Sequence, residues 1–441
     1  MPQRTVGVCL VGCGVVGGGV ASILREQREL LRARTGIDFD LRHVVVKDRD
    51  DYPPNWSELP MSTDAAAAID DPRSEVVIEL VGGTTVAGSF IERALKLGKS
   101  IVTANKSLLA QRGPELFALA RKHEACIAFE ASCGGGIPII DALIRGLVAN
   151  RIDAILGIVN GTCNFILSQM TQKGWTYDQA LKEAQRLGFA EANPTLDVSG
   201  GDTADKLTIM ASLAFNVRVN KGDIHVEGID TLQAEDIQFA RELGYVIKLL
   251  AIAQRNSGDR ISLRVHPTLV HRDDLLADVS GSFNAISVYG HALGHALWYG
   301  RGAGRMPTAS AVVADLVGVA TGATRASFQQ LRVLPDSTPA AAVLPFDDLH
   351  SRYYIRLTAK DEPGVMAAVT AALGRQRISL SAVLQHENAG SPFVPVVVTT
   401  HRAREGAVRA ALKEIDALSV IGAPTVCIRV MDQPMEFGAG A

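Results

Sequence analysis

The sequence predicts a doubly wound parallel α/β sheet, then an α+β domain, then a small C-terminal sheet with two helices. Three observations carry this. Short apolar runs alternate with helical stretches over residues 1–150, longer helices follow beyond Arg151, and residues 352–430 run in the order βαββαβ.

The first strand is expected over residues 5–10, where every residue is β-branched, apolar or glycine. Further buried strands are expected at 41–46, 76–81, 100–103 and 126–130, and helices at 20–34, 65–69, 89–97 and 114–122. In the second domain, helices are expected at 176–187, 203–215 and 309–320, and strands at 260–270 and 283–289. Pro335, Pro339 and Pro345 lie among small residues and mark a linker. The tail then reads as strand 352–360, helix 363–375, strands 379–386 and 393–400, helix 405–415 and strand 420–430. The expected domains are therefore 1–150, 151–330, a linker at 331–350, and 351–431. The last helix of the second domain is expected to pack back on the first.

A chain of 441 residues accommodates about three domains at roughly 150 residues each. Lys and Arg number 44 against 47 Asp and Glu, a net charge of −3, with 21% charged and 47% hydrophobic residues. That is ordinary globular composition, and disorder, collagen and coiled coil are excluded. Near-neutral charge gives no electrostatic case for nucleic acid or an anionic membrane surface. The six cysteines form no CxxC pair, which argues against a disulfide framework or thiolate zinc site and fits a reducing cytoplasm. The uncharged run 5–24 is long enough to span a membrane, but six of its residues are glycine and neither a charged leader nor a cleavage signal is evident. No targeting segment is expected.

Gly12-Cys13-Gly14-Val15-Val16-Gly17 follows a strand and opens a helix, the context that gives GxGxxG its meaning in a Rossmann-type domain. Gly12 allows the turn, Gly14 lets a pyrophosphate approach the backbone, and Gly17 lets helix and strand pack closely. The helix N-terminus adds N–H groups and partial positive charge. Cofactor preference is read after the second strand, where Val46-Lys47-Asp48-Arg49 offers both signs. Lys47 and Arg49 lean towards NADP over NAD.

Between Gly188 and Leu207 lie Glu191, Asp197, Asp202 and Lys206. Asp202 and Lys206, four apart on a helix, share one face. An exposed pair of this kind contributes little. Beside an apolar helix, though, a lysine can exchange a proton with a carbinol while carboxylates hold a substrate amine.

Six segments in order resemble homoserine dehydrogenase carrying a C-terminal ACT regulatory domain. They are the glycine loop, Thr103-Ala104-Asn105-Lys106, residues 130–138 (EASCGGGIP), residues 160–167 (NGTCNFIL), residues 191–206, and Gly300-Arg301-Gly302-Ala303-Gly304 with the following Pro307-Thr308-Ala309-Ser310. The resemblance implies NAD(P)-dependent interconversion of L-homoserine and L-aspartate 4-semialdehyde, in the biosynthesis of threonine, methionine and isoleucine. It makes Lys206 the proton donor and acceptor, Lys106 a second active-site lysine, and Glu191 and Asp202 substrate-binding carboxylates with Asp197 beside them. Thr103 and Asn105 would lie near the nicotinamide ribose, with Gly188 and Gly302 against the cofactor. It further implies a monovalent cation, sodium, held at Glu130, Cys133, Gly135 and Ile137 mostly through backbone carbonyls. Asp205 stands where histidine is frequent in the family, and Asn193 where aspartate is frequent. The tail implies a ferredoxin-like ACT domain with an amino-acid effector, threonine, near Asp361 and Gly364, and a homodimer or homotetramer. His291, His295 and Trp298 read as surface or packing residues.

Two rival readings stand beside this one. Ala131-Ser132-Cys133-Gly134 faintly resembles the nucleophile of phosphorylating aldehyde dehydrogenases. A non-enzymatic dinucleotide and amino-acid sensor would use the outer domains and leave the acid–lysine cluster without a role.

Overall fold

The computed structural model describes residues 4–48, 59–386 and 392–432. They divide into two compact units, each assembled from separated stretches: 1–155, 202–224 and 283–341 in the first, and 156–201, 225–282 and 342–441 in the second.

The chain opens with strand β1 (Arg4–Val11), helix α1 (Val15–Glu26), α2 (Arg28–Thr35) and β2 (Ile37–Val45). It continues through β3 (Met61–Ser62), α3 (Ala65–Asp70), β4 (Val76–Glu79), α4 (Thr85–Lys96), β5 (Ser100–Thr103), α5 (Lys106–Lys122) and β6 (Ile127–Ala128). These six strands form one sheet in the order β3-β2-β1-β4-β5-β6, every pairing parallel. Parallel strands buried on both faces need continuous apolar sequence, and β4 is buried at all four positions.

Helices α4 and α12 begin four residues before their expected starts, and two helices depart further. The 20–34 stretch is two helices: α1 starts directly after the glycine loop and ends at Glu26, and Gln27 separates it from α2. The helix expected from Pro114 begins at Lys106 instead. Proline favours a helix start, but here the Asn105 side chain accepts the Leu108 N–H as N-cap and the helix runs on through Pro114. Lys106 is thus the first residue of α5.

After a short α6 (Ile139–Asp141), the chain leaves the first unit within β7 (Ile152–Ile158). Then come α7 (Gly161–Lys173), α8 (Tyr177–Arg186), α9 (Thr195–Val198) and α10 (Gly201–Phe215). They are followed by β8 (His225–Val226), α11 (Ala234–Glu242), β9 (Tyr245–Arg255) and β10 (Ile261–His271). The hairpin β11 (Phe283–Gly290) and β12 (Gly294–Arg301) precedes α12 (Arg305–Ala320) and α13 (Ala323–Gln330). In the first unit α12 lies against α1: Ala309, Val312 and Leu316 share a core with Val8, Val20 and Ile78.

The C-terminal stretch contains β13 (His350–Lys360), α14 (Val365–Arg375), β14 (Leu380–Gln385) and β15 (Phe393–Thr400). It closes with β16 (Ala403–Arg404), α15 (Glu405–Asp416) and β17 (Ile421–Val430). The expected βαββαβ order is present, in a sheet ordered β17-β13-β15-β14. Its edge strand β17 pairs with β10 in parallel, so the tail sheet continues that of β9 and β10. A buried ion pair secures the same unit. Arg356 donates to Asp236 at 2.6 and 3.2 Å, the Tyr354 hydroxyl donates to Asp236 at 3.1 Å, and Asp236 is fully buried.

Removing one partner of such a pair leaves an uncompensated charge. Arg356→Met is expected to lower unfolding free energy by about 3–5 kcal/mol in urea titration, and the double variant Arg356→Met/Asp236→Leu to recover most of it. A double variant as unstable as the single one would contradict this reading of the pair.

Candidate active site

The glycine loop is shaped by close approach. Gly12 has φ +95°, and a Cβ there would sit 2.7 Å from the Leu80 carbonyl carbon. A Cβ on Gly17 would come within 2.2 Å of the Gly12 oxygen. Gly14 differs: a Cβ there would meet nothing within 4 Å, so the space in front of it is open. Gly14 is also the N-cap of α1 and supplies no side-chain cap. The first N–H groups of α1, from Val15 and Val16, therefore front an open cradle suited to a pyrophosphate. Lys47 is exposed just beyond β2. Arg49 lies outside the described residues.

A carboxylate not anticipated from the sequence organises the neighbouring strand ends. Glu79, the last residue of β4 and fully buried, accepts N–H bonds from Val81 and Gly82 at 2.8 and 3.1 Å. It also accepts from the Thr103 hydroxyl at 2.7 Å and the Asn105 amide at 3.4 Å. Asn105 in turn donates to the Gly83 carbonyl at 2.7 Å while capping α5. Thr103 and Asn105 are thereby fixed at the carboxyl edge of the sheet, where ligands of doubly wound folds bind. The only sequence signal was an acid inside an otherwise apolar strand.

Next to this edge, α5 and α10 bring their charged residues together. Asp202 Oδ2 accepts from Lys206 Nζ at 2.7 Å, and Asp202 Oδ1 lies 3.1 Å from Lys106 Nζ. Asp202 and Lys206 are buried, at 5% and 9% exposure, so this is no surface pair. Burial pushes the Asp202 carboxyl up, but the Lys206 and Lys106 ammonium groups outweigh it and hold the carboxyl well below the usual range. For Lys106, burial acts to lower the pKa and Asp202 outweighs it, leaving it raised. A second bracket joins the same helices: Asp205 accepts from Ser107 Oγ at 2.7 Å and lies 2.5 Å from Lys221 Nζ. Ser107 and Lys221 escaped the sequence reading because their partner is distant in the chain.

The 130–138 loop runs beside α10. The Cys133 thiol is buried 3.8 Å from the Lys206 carbonyl, and burial raises its pKa to about 12. Gly134 and Gly135 take positive φ, +71° and +58°. A Cβ on Gly135 would lie 2.5 Å from Gly302, itself packed so tightly that a Cβ would overlap the Asn284 amide at 1.9 Å. The Glu130 carboxylate accepts the N–H groups of Ile140 and Asp141, both at 2.8 Å, and its own N–H donates to Asp315 at 2.8 Å. Burial raises Glu130 to about 7. Among the described residues no cluster of three His, Cys, Asp or Glu side chains could hold a metal ion. The Glu130 carboxylate is committed to backbone N–H groups, and the Glu130 and Ile137 carbonyls accept the N–H groups of Cys133 at 3.3 Å and Ile139 at 2.8 Å.

The remaining candidates belong to the second unit. Asp197 accepts from the Asn160 amide at 2.8 Å and from Thr162 Oγ1 at 3.3 Å, which ties α9 to the start of α7. Glu191 is exposed, and Gly188 follows α8 with φ +76°. Gly364 precedes α14 at φ +94°, and Asp361 accepts from Gln385 at 3.4 Å.

Comparison with known proteins bears on the arrangement. The family profile "Homoserine dehydrogenase, NAD binding domain" matches residues 12–130, "Homoserine dehydrogenase" matches 138–317 and "ACT domain" matches 353–419. The homoserine dehydrogenases of Neisseria gonorrhoeae and Pseudomonas aeruginosa are each 42% identical, over 97% and 98% of this chain and 99% of theirs. Among solved structures, a homoserine dehydrogenase from Thiobacillus denitrificans is 42% identical with a TM-score of 0.92, over 97% of this chain and 99% of that one. One from S. aureus is 30% identical with a TM-score of 0.76, over 97% and 99%.

Gly17→Ala is expected to force the loop off the start of α1 and weaken NAD(P)H binding by about fivefold or more in fluorescence titration, since overpacking by one methyl costs about 1–3 kcal/mol. Unchanged affinity in a folded variant would contradict the cradle.

Proposed function

The chain belongs to the homoserine dehydrogenase family, and from its geometry we propose that Lys206 is the residue that moves the proton. The activity is an NAD(P)-dependent oxidoreduction between L-homoserine and L-aspartate 4-semialdehyde. The nicotinamide, when bound, supplies or accepts the hydride. The protein's task is to hold the substrate, exclude water and manage one proton.

The observation that carries this is Asp202 held between two lysines, at 2.7 Å from Lys206 and 3.1 Å from Lys106. In the reducing direction the Lys206 ammonium donates a proton to the aldehyde oxygen as it becomes a hydroxyl; in reverse the amine takes it back. Lys106 holds substrate and cofactor at the same edge, and Asp202 sets both ammonium groups in place while facing the substrate. The family resemblance gives Glu191 and Asp202 the role of substrate-binding carboxylates, with Asp197 beside Glu191 in sequence.

Gly12, Gly14, Val15, Val16 and Gly17 would hold the pyrophosphate, with Thr103, Asn105, Lys106, Gly188 and Gly302 along the rest of the dinucleotide. Exposed Lys47 at the end of β2 favours NADP over NAD, because a cation there tolerates a 2′-phosphate. A monovalent cation, sodium, on the carbonyls of Glu130, Cys133, Gly135 and Ile137 would stiffen the loop beside Lys206. The ACT domain takes an amino-acid effector, threonine, near Asp361 and Gly364. Sheets of this kind pair at their edges, which supports a homodimer or homotetramer. None of the six cysteines forms a disulfide, which fits a reducing cytoplasm.

The buried Cys133 thiol, its pKa raised to about 12, is unsuited to nucleophilic attack. Cys133→Ala is expected to keep most of the activity. Lys206→Ala is expected to lower kcat by about 10²–10⁴-fold, the usual contribution of a general acid–base group, with NADPH affinity within about twofold of the parent. Turnover unchanged in that variant removes Lys206 from the role.

A further inference from the structure

The second unit holds a cavity of about 160 Å³ that the reaction does not use. Its wall includes Arg264, His266 and Thr268, alternate residues on one face of β10, with Gln254 from β9 and Arg402 and Arg429 from the C-terminal stretch. It adjoins the start of β13, at Ser351, whereas Asp361 follows the other end of that strand, roughly 30 Å away at about 3.3 Å per residue.

Two groups in this wall are incompletely matched. His266 is 1% exposed. Its Nδ1 lies 2.9 Å from the Pro267 carbonyl and 2.9 Å from Thr268 Oγ1, and the Thr268 hydroxyl donates to the His266 carbonyl at 3.1 Å. A carbonyl only accepts, so the ring proton sits on Nδ1 and Nε2 is a bare acceptor. That Nε2 is buried and has no hydrogen-bond partner among the described residues. Buried acceptors are rarely left so.

Arg264 is the second. Its guanidinium donates to Ser262 Oγ at 2.8 Å and Gln254 Oε1 at 3.4 Å, both neutral acceptors. Arg429 beside it is different, gripped by Glu405 at 2.7 and 2.9 Å and by Glu227 at 2.7 Å. Arg402 faces the cavity from an exposed position, 3.6 Å from Asp432. Asp432 also lines the cavity, but Arg264, Arg402 and Arg429 outnumber that one carboxylate, so the wall offers net positive charge together with an acceptor that needs a donor.

We propose that this cavity binds a small oxyanion that also carries a hydroxyl group, its charge set against Arg264 and Arg402 and its hydroxyl donating to His266 Nε2. An α-hydroxy carboxylate and hydrogen phosphate share that chemistry. A simple carboxylate has the charge but not the donor.

Calorimetric titration of the full-length protein at constant ionic strength tests this with L-lactate, propionate and inorganic phosphate. Lactate should bind saturably and about tenfold more tightly than propionate, the usual worth of one buried hydrogen bond. His266→Phe should abolish that preference and leave propionate affinity in place. Arg264→Gln should weaken both ligands, and Arg402→Gln, at an exposed position, gives the same direction should Arg264→Gln fail to fold. Phosphate that competes with lactate identifies the phosphate-type source, and phosphate that does not identifies the hydroxy acid. Equal lactate and propionate affinity, a preference that survives His266→Phe, or displacement of lactate by saturating L-homoserine overturns the proposal.

Discussion

A buried carboxylate between two ammonium groups is the constraint around which the first unit is organised. Asp202 has only α10 to stand on, and a lone carboxylate at 5% exposure would be expensive to keep ionised. Lys206, one turn along the same helix, and Lys106, at the first position of α5, make the ionised form favourable. The cluster therefore requires that α5 begin where it does. Asn105 ensures this by capping the helix, and Asn105 is itself tied to Gly83 and Glu79. Hydrogen bonds and ion pairs, joined through the Asn105–Lys106 peptide, thus run from the end of β4 to Lys206, the residue proposed to move the proton.

Backbone shape does the rest of the work around that cluster. Gly12 and Gly17 are required by contacts that any side chain would break, while the space in front of Gly14 is open. The 130–138 loop repeats the principle: Gly135 and Gly302 touch backbone to backbone, and the Glu130 carboxylate is used up on two N–H groups. A cation there would meet carbonyl oxygens, the donors that hard cations prefer. Placing Cys133 deep against the Lys206 carbonyl makes it a packing group. The architecture of this unit rests on few buried charged side chains and a tightly specified main chain.

The parallel sheet and the tail module were legible from sequence because their strands are short apolar runs set off by turns, and the glycine loop because its context is strict. The lysine–aspartate pairing on α10 was legible because i and i+4 share a face. Other features depended on distant partners. Lys106 joins Asp202 across 96 positions, and Ser107 meets Asp205 across 98; no local pattern announces either. Pro114 misled the start of α5, since a proline inside a helix resembles one that opens it. The interleaving of the two units likewise has no local signature, because the chain passes between them inside β7 and again at the start of α10.

The most direct measurement of the central claim is chemical rescue. Methylamine added to Lys206→Ala is predicted to restore turnover in a saturable way, because the amine can occupy the vacated position beside Asp202 and carry the proton. The same amine added to Lys206→Ala/Asp202→Asn is predicted to restore nothing. Rescue that is absent from the single variant, or equally strong in both, would contradict the account.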